Sequence, residues 1–133
     1  MIIDSSALVA VLRKEPEAAA LVRAMLRDPR RVMSAANLLE TGIVVDQQLG
    51  LSAGRRLDAF VERAGIEIAP VTEAQVRLAR QAYVDFGKGN HPAGLNFGDC
   101  FAYALAKASG EPLLFKGDDF AQTDIAAYRS PSS

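Results

Sequence analysis

Apolar residues recur along this chain in two alternating rhythms, short unbroken runs and longer stretches with helical spacing. Met1 to Asp4 is an apolar run ending at an acid, which predicts a strand, and Ser5 to Leu12 reads as a helix opened by Asp and Ser. Pro16 interrupts, and a second helix is expected from about Glu17 to Arg27, stopped by Asp28 and Pro29. Arg31 to Ser34 predicts a second short strand leading into a helix over Ala35 to Leu49, with Gly50 as its stop. Leu57, Phe60, Val61 and Ala64 place a helix over Ser52 to Ala64, and Ile66 to Val71 alternates around Glu67 as a strand does. Thr72 and Gln75 have the spacing of a capping box for the helix carrying Val76, Ala79, Tyr83 and Phe86, which ends near Gly87. The Gly-, Asn- and Pro-containing stretch from Gly87 to Phe97 reads as a mobile surface loop, suited to act as a substrate gate. A helix over Gly98 to Ser109 is apolar on every side from Phe101 to Ala106 and should be buried. Pro112 to Phe115 and Ile125 to Tyr128 complete the expected strands, and the closing Ser-Pro-Ser-Ser is expected to fray.

Strands alternating with helices at this spacing imply a mostly parallel α/β sheet flanked by helices on both faces. In such sheets ligands bind in the crevice at the carboxyl ends of the strands. With 133 residues, half of them hydrophobic, the chain is expected to form one domain spanning 1–133. No stretch is long and apolar enough for a membrane span and no leader-like segment opens the chain, so a cytoplasmic protein is expected. A single cysteine, Cys100, and a single histidine, His91, exclude internal disulfides and most Cys/His metal chemistry. The net charge of -1 argues against nonspecific coating of duplex DNA. Small basic clusters at Arg13–Lys14, Arg27 with Arg30 and Arg31, and Arg55–Arg56 permit a local phosphate-binding groove, although solvated helix surface is their ordinary reading.

The informative charges are acids in unusual places. Glu40 has Ala36, Asn37, Ile43 and Val44 as helical neighbours, a mainly apolar face that should bury it; a rim position or an arginine partner is the ordinary alternative. Asp99 opens the buried helix, where an acid also favours the helix dipole. Asp4 has the placement of a helix cap, and Asp118 and Asp119 that of a turn. Taken together, these acids come from distant segments and fall at one end of one parallel sheet. Clustered buried carboxylates repel one another unless a cation sits among them, and oxygen-only ligands favour Mg2+ or Mn2+ over zinc. Metal-assisted phosphodiester hydrolysis is the chemistry this arrangement points to.

The segments Met1-Ile-Ile-Asp4-Ser-Ser-Ala-Leu, Ala36-Asn-Leu-Leu-Glu40, Asn96-Phe-Gly-Asp99-Cys-Phe-Ala-Tyr-Ala-Leu-Ala and Leu114-Phe-Lys-Gly-Asp118-Asp119-Phe together resemble the VapC-type PIN-domain ribonuclease toxins of type II toxin-antitoxin systems. The resemblance spans nearly the whole chain and keeps the order of the motifs. It implies a magnesium-dependent endoribonuclease, with manganese as a substitute, that is usually a homodimer and is neutralised by a cognate VapB-type antitoxin. It also implies Asp4 and Asp99 as principal metal ligands, with Glu40 binding metal directly or through water and orienting the nucleophile. The fourth acid is then Asp119 in preference to Asp118. Ser6 resembles the hydroxyl residue accompanying the first acid, and Asn96 one that fixes the Asp99 loop, although both also suit plain capping. Competing readings are a phosphoacceptor receiver domain, which lacks its second acid beside Asp4, a noncatalytic RNA-binding protein of the same fold, and a metal-dependent nuclease outside any toxin system.

Overall fold

The computed structural model describes residues 1–128; the expected fraying of 130–133 lies outside them. In chain order the elements are β1 (Ile2–Ile3), α1 (Ser5–Leu12), α2 (Ala18–Arg27), β2 (Arg31–Ser34), α3 (Ala35–Leu49), α4 (Leu51–Arg63), β3 (Ile66–Ala69), α5 (Glu73–Phe86), α6 (Phe97–Ser109) and β4 (Leu113–Leu114). The strands form one wholly parallel sheet in the order β3-β2-β1-β4.

Strand side chains alternate in direction, and the two halves of the core follow from that period. Ile3, Met33 and Leu114 point to one face, where they pack with Leu8 of α1, Met25 of α2, Val45 of α3 and Leu57 of α4. Ile2, Val32 and Leu113 point to the other, against Ala82 of α5 and Ala102 and Leu105 of α6. Both faces are thus covered, as the near-continuous apolar strands require. No helix among the described residues is long and apolar enough to cross a membrane.

Three local expectations need correction, and one element is added. Among the described residues, Ile125 to Tyr128 meets the sheet at one bridge, Leu113 with Ala127, held by the Leu113 N–H on Ala126 O and the Tyr128 N–H on Leu113 O at 2.9 Å each, and does not form a strand. Phe120–Gln122 is a 3-10 turn that periodicity did not predict. The Thr72 hydroxyl accepts from the Gln75 N–H at 3.2 Å, but Gln75 is buried and the reciprocal half of the capping box is not made. The stretch 87–97 is folded back on itself rather than open: Lys88 N–H donates to Leu95 O and Leu95 N–H to Phe86 O, both at 2.9 Å. Ala93 and Leu95 are buried, and His91 packs edge-on against Phe86. Two apolar anchors outweigh the turn-rich composition there, so it does not read as a gate.

Candidate active site

Because all four strands run parallel, the chain leaves β1 and β4 at the same end of the sheet. Asp4 is the first residue beyond β1, tied to the neighbouring strand by its N–H on Leu114 O at 3.0 Å. Its Oδ2 accepts from the Ser6 N–H at 3.0 Å and caps α1, so the capping reading holds. Its Oδ1 is buried and has no partner at all, which capping does not account for. Asp4 is only 3% exposed. Burial, with a smaller push from the Glu40 charge, raises its pKa from the ordinary carboxylate range to about 6, against the lowering effect of the Ser6 hydrogen bonds.

Glu40 projects from α3 toward Asp4. Its Oε1 accepts from Ser5 Oγ at 2.6 Å and from Asn37 Nδ2 at 3.4 Å. Asn37 is fully buried and also donates to Gly98 O at 3.0 Å, joining α3 to the start of α6. A Cβ built on Gly98 would overlap the Glu40 carboxylate, so the missing side chain makes room for the acid. The apolar face expected to bury Glu40 is not what does so, since Ile43 is 49% exposed. The half-burial comes instead from Ser5, Asn37 and Gly98, none of which the sequence reading placed in the site. The available signals were a Gly directly before Asp99 and an Asn one helical turn before Glu40.

Asp99 and Asn96 form a full capping box at the start of α6. Asn96 Oδ1 accepts from the Asp99 N–H at 2.9 Å, and Asp99 Oδ2 accepts from the Asn96 N–H at 3.0 Å. Asn96 therefore holds the Asp99 carboxylate in one orientation over the cleft. Burial raises the Asp99 pKa to about 7, opposed by the Asn96 backbone and aided by the charges of Asp4, Asp119 and Glu40. Asp119 faces the same cleft from the segment after β4, whereas Asp118 does not line it. Ser6 does not face Glu40; its Oγ accepts from the Lys116 N–H at 2.9 Å.

Asp4, Glu40, Asp99 and Asp119 thus line one open cleft of about 330 Å³. Among the described residues no three acids, histidines or cysteines converge tightly enough to enclose an ion by themselves. An ion held here would therefore keep several waters and take only one or two carboxylates directly. The unpartnered Asp4 Oδ1 is an oxygen such a cation would satisfy. Asp99 retains the oxygen that the capping box does not use.

The family model described as the PIN domain matches residues 1–126. Ribonuclease VapC of Mycolicibacterium smegmatis is 54% identical over 127 residues, covering 96% of this chain and 98% of that protein. Ribonuclease VapC30 of Mycobacterium tuberculosis is 50% identical over 131 residues, covering 98% and 100%. Ribonuclease VapC28 of the same species is 53% identical over 126 residues, covering 94% and 95%. Among solved structures, the M. tuberculosis sarcin-ricin-loop-cleaving toxin VapC20 shares the fold with a TM-score of 0.80 at 17% identity, over 97% of this chain and 98% of that one. With an acid-lined cleft at the carboxyl ends of a parallel sheet, a family match over almost its full length and relatives at half identity, this chain belongs to the PIN-domain family, among the VapC ribonucleases.

Proposed function

We propose that the chain is a magnesium-dependent endoribonuclease toxin of the cytoplasm, able to use manganese, and neutralised by a VapB-type antitoxin. The observation that carries this reading is the Asp4 carboxylate, buried with one oxygen left without a hydrogen bond, in a cleft shared with three more acids. The names of the half-identical relatives, all ribonucleases, support the choice of RNA as substrate.

Asp4 and Asp99 are the groups that would hold the ion, which when bound would draw in the phosphodiester and lower the pKa of an attacking water. Glu40 is steadied through Oε1 by Ser5 and Asn37, leaving Oε2 to take the proton from that water. Asn96 keeps Asp99 turned toward the cleft, and Asp119 adds negative charge at the exposed rim. Arg13 also lines the cleft, only loosely paired with Glu15 at 3.7 Å, and would turn from that acid to the RNA backbone.

The partners follow from the apolar surface. Leu39 and Ile43 lie exposed on α3 to either side of Glu40 in sequence, a seat for an antitoxin helix whose arginine would pair with the acids. A separate groove of about 540 Å³ between α5 and α6, with Tyr83, Val84 and Phe97 exposed along it, is the face we assign to the second copy of a homodimer.

The test is cleavage of a mixed RNA pool with magnesium or manganese, beside a chelator control and the Asp4→Ala variant. Metal-dependent fragments that disappear in the variant are expected. Metal-independent binding without cleavage would replace the proposal by the noncatalytic reading. Equal cleavage of DNA would move the chain outside the toxin class.

A further inference from the structure

Helix α1 ends in a turn with an unusual residue at its corner. The Lys14 N–H donates to Val11 O and the Glu15 N–H to Ala10 O, both at 3.1 Å, the two bonds of a Schellman motif. Lys14 occupies the left-handed position of that motif at φ 57°, a conformation that side chains disfavour and glycine usually fills. The turn sends Glu15 back to the rim of the cleft, and Pro16 limits the freedom of the chain before Glu17.

Both of these acids meet the ammonium of Lys116, which lies across the cleft just after β4; Glu17 Oε1 is 3.1 Å away and Glu15 is also paired with it. Glu17 Oε1 is shielded from solvent and has no hydrogen bond, so Lys116 is its counter-charge. Arg13 Nη1 stands 3.7 Å from Glu15 Oε1. Two bases thus face two acids, and Lys116 has little unbalanced charge to offer a phosphate. The Lys116 backbone is tied as well, through its N–H on Ser6 Oγ. Gly117, at φ 99°, then turns the chain so that Asp119, itself exposed, stands over the cleft.

We propose that Lys116 is a positioning residue for Asp119: clamped by Glu15 and Glu17 through its side chain and by Ser6 through its backbone, it fixes the segment that carries the fourth carboxylate against the rim of the cleft. The inference rests on the nuclease reading for its kinetic consequence and on the ion pairs for its structural one. Misplacing a group at a reacting centre lowers turnover more than binding, whereas loss of a phosphate contact weakens binding and its salt dependence.

The experiment compares full-length wild type, Lys116→Met, Lys116→Arg, Asp119→Asn and the double variant Lys116→Met/Asp119→Asn. Cleavage kinetics with magnesium and hydrogen exchange of the amides from 116 to 119 are both followed. Lys116→Met is expected to lower kcat by roughly ten- to a hundredfold with KM for RNA little changed, and Lys116→Arg to recover most of it. In the Asp119→Asn background the same substitution should cost nothing further, and exchange at 116–119 should quicken only where the clamp is gone. Losses that appear in KM, that add independently in the double variant, or that leave exchange unchanged would overturn the proposal. If Lys116→Met fails to fold, Glu17→Gln loosens the clamp from its other side and is held to the same outcomes. Wild-type protein that leaves RNA intact would defeat the nuclease reading alone, since the exchange comparison still decides whether the clamp holds the segment.

Discussion

At the amino-terminal end of the strands, each acid is paired with a base. The Met1 ammonium donates to Asp28 Oδ1 at 3.2 Å and Arg30 O at 2.7 Å and lies 3.4 Å from Glu111 Oε1, while Arg30 reaches Glu67 and Glu111 at 3.3 Å each. At the carboxyl-terminal end of the same sheet, Asp4, Glu40, Asp99 and Asp119 face a common cleft, and its two basic side chains, Arg13 and Lys116, are engaged with Glu15 and Glu17. The same side-chain chemistry therefore closes one end of the molecule and leaves the other with unspent negative charge. The difference lies in what each carboxylate is bonded to. At the closed end the partners are cations; in the cleft they are neutral donors, namely Ser5, Asn37 and the N–H groups of Ser6 and Asn96. Neutral donors aim a carboxylate without cancelling its charge, as the proposed metal site would require.

The contrast can be broken most severely at Asp4. Asp4→Asn keeps an oxygen for the Ser6 N–H and so preserves the cap, but removes the charge at the buried position. Cleavage should fall by roughly a hundred- to a thousandfold, the scale seen when one preorganised electrostatic contact is lost, with the fold retained by circular dichroism. An Asp4→Asn protein that still cleaves RNA at the wild-type rate would remove Asp4 from the site.

Gly98→Ala comes next and tests aim rather than charge. Gly to Ala within a helix ordinarily stabilises by up to about 1 kcal/mol. Here the new methyl overlaps the Glu40 carboxylate, which is the free end of a side chain and can swing away from Ser5. Little change in the urea midpoint, together with a loss of about tenfold in kcat, is the expected pair of results. Unchanged kcat would show that the position of Glu40 does not matter.

A third test uses pH on the metal-free protein. Burial raises Asp4 and Asp99 to about 6 and about 7 in the folded chain, above their ordinary carboxylate values. The folded state therefore holds protons that the unfolded chain has released. Their stabilising contribution is complete below about pH 4, the unfolded value, and is lost as pH rises through 6 and 7. Thermal melts in chelator should fall in Tm across that window, Asp99→Asn should flatten the fall, and added magnesium should bind more tightly as pH rises. A flat metal-free profile would mean that the acids are not under strain.

The smallest effect belongs to the matched end. Glu111→Gln removes two partly exposed ion pairs, to Met1 and Arg30, and should cost about 1 kcal/mol or less in urea unfolding while leaving cleavage at the wild-type rate. A loss of activity there would show that the two ends are coupled.

The fold was largely legible because strong apolar periodicity and good stop signals coincide along this chain. Helices α1, α3 and α6 begin and end within a residue of expectation, each bounded by a recognisable cap: Asp4, Ser34 and Asn96 before them, and Gly50 and Gly110 after two of them. The misses are segments whose conformation depends on distant contacts. The stretch 87–97 has the composition of an open loop, yet buried Ala93 and Leu95 pull it inward, and Ile125 to Tyr128 meets β4 at the single bridge of Leu113 with Ala127.

The residue types by themselves determined the six α-helices and four of the expected strands, that the sheet is mostly parallel, and that acids from distant segments gather at its carboxyl end. Those conclusions need only local periodicity, capping chemistry and the handedness of strand-helix-strand connections. The tertiary structure agrees with the preference for Asp119 over Asp118 at the cleft, and it alone decided that Ser5 rather than Ser6 holds Glu40 and that Asn37 and Gly98 shape its seat. Neighbouring residues of like chemistry differ only in the direction their side chains take, and that direction is set by packing between α1, α3 and α6 that no single segment encodes.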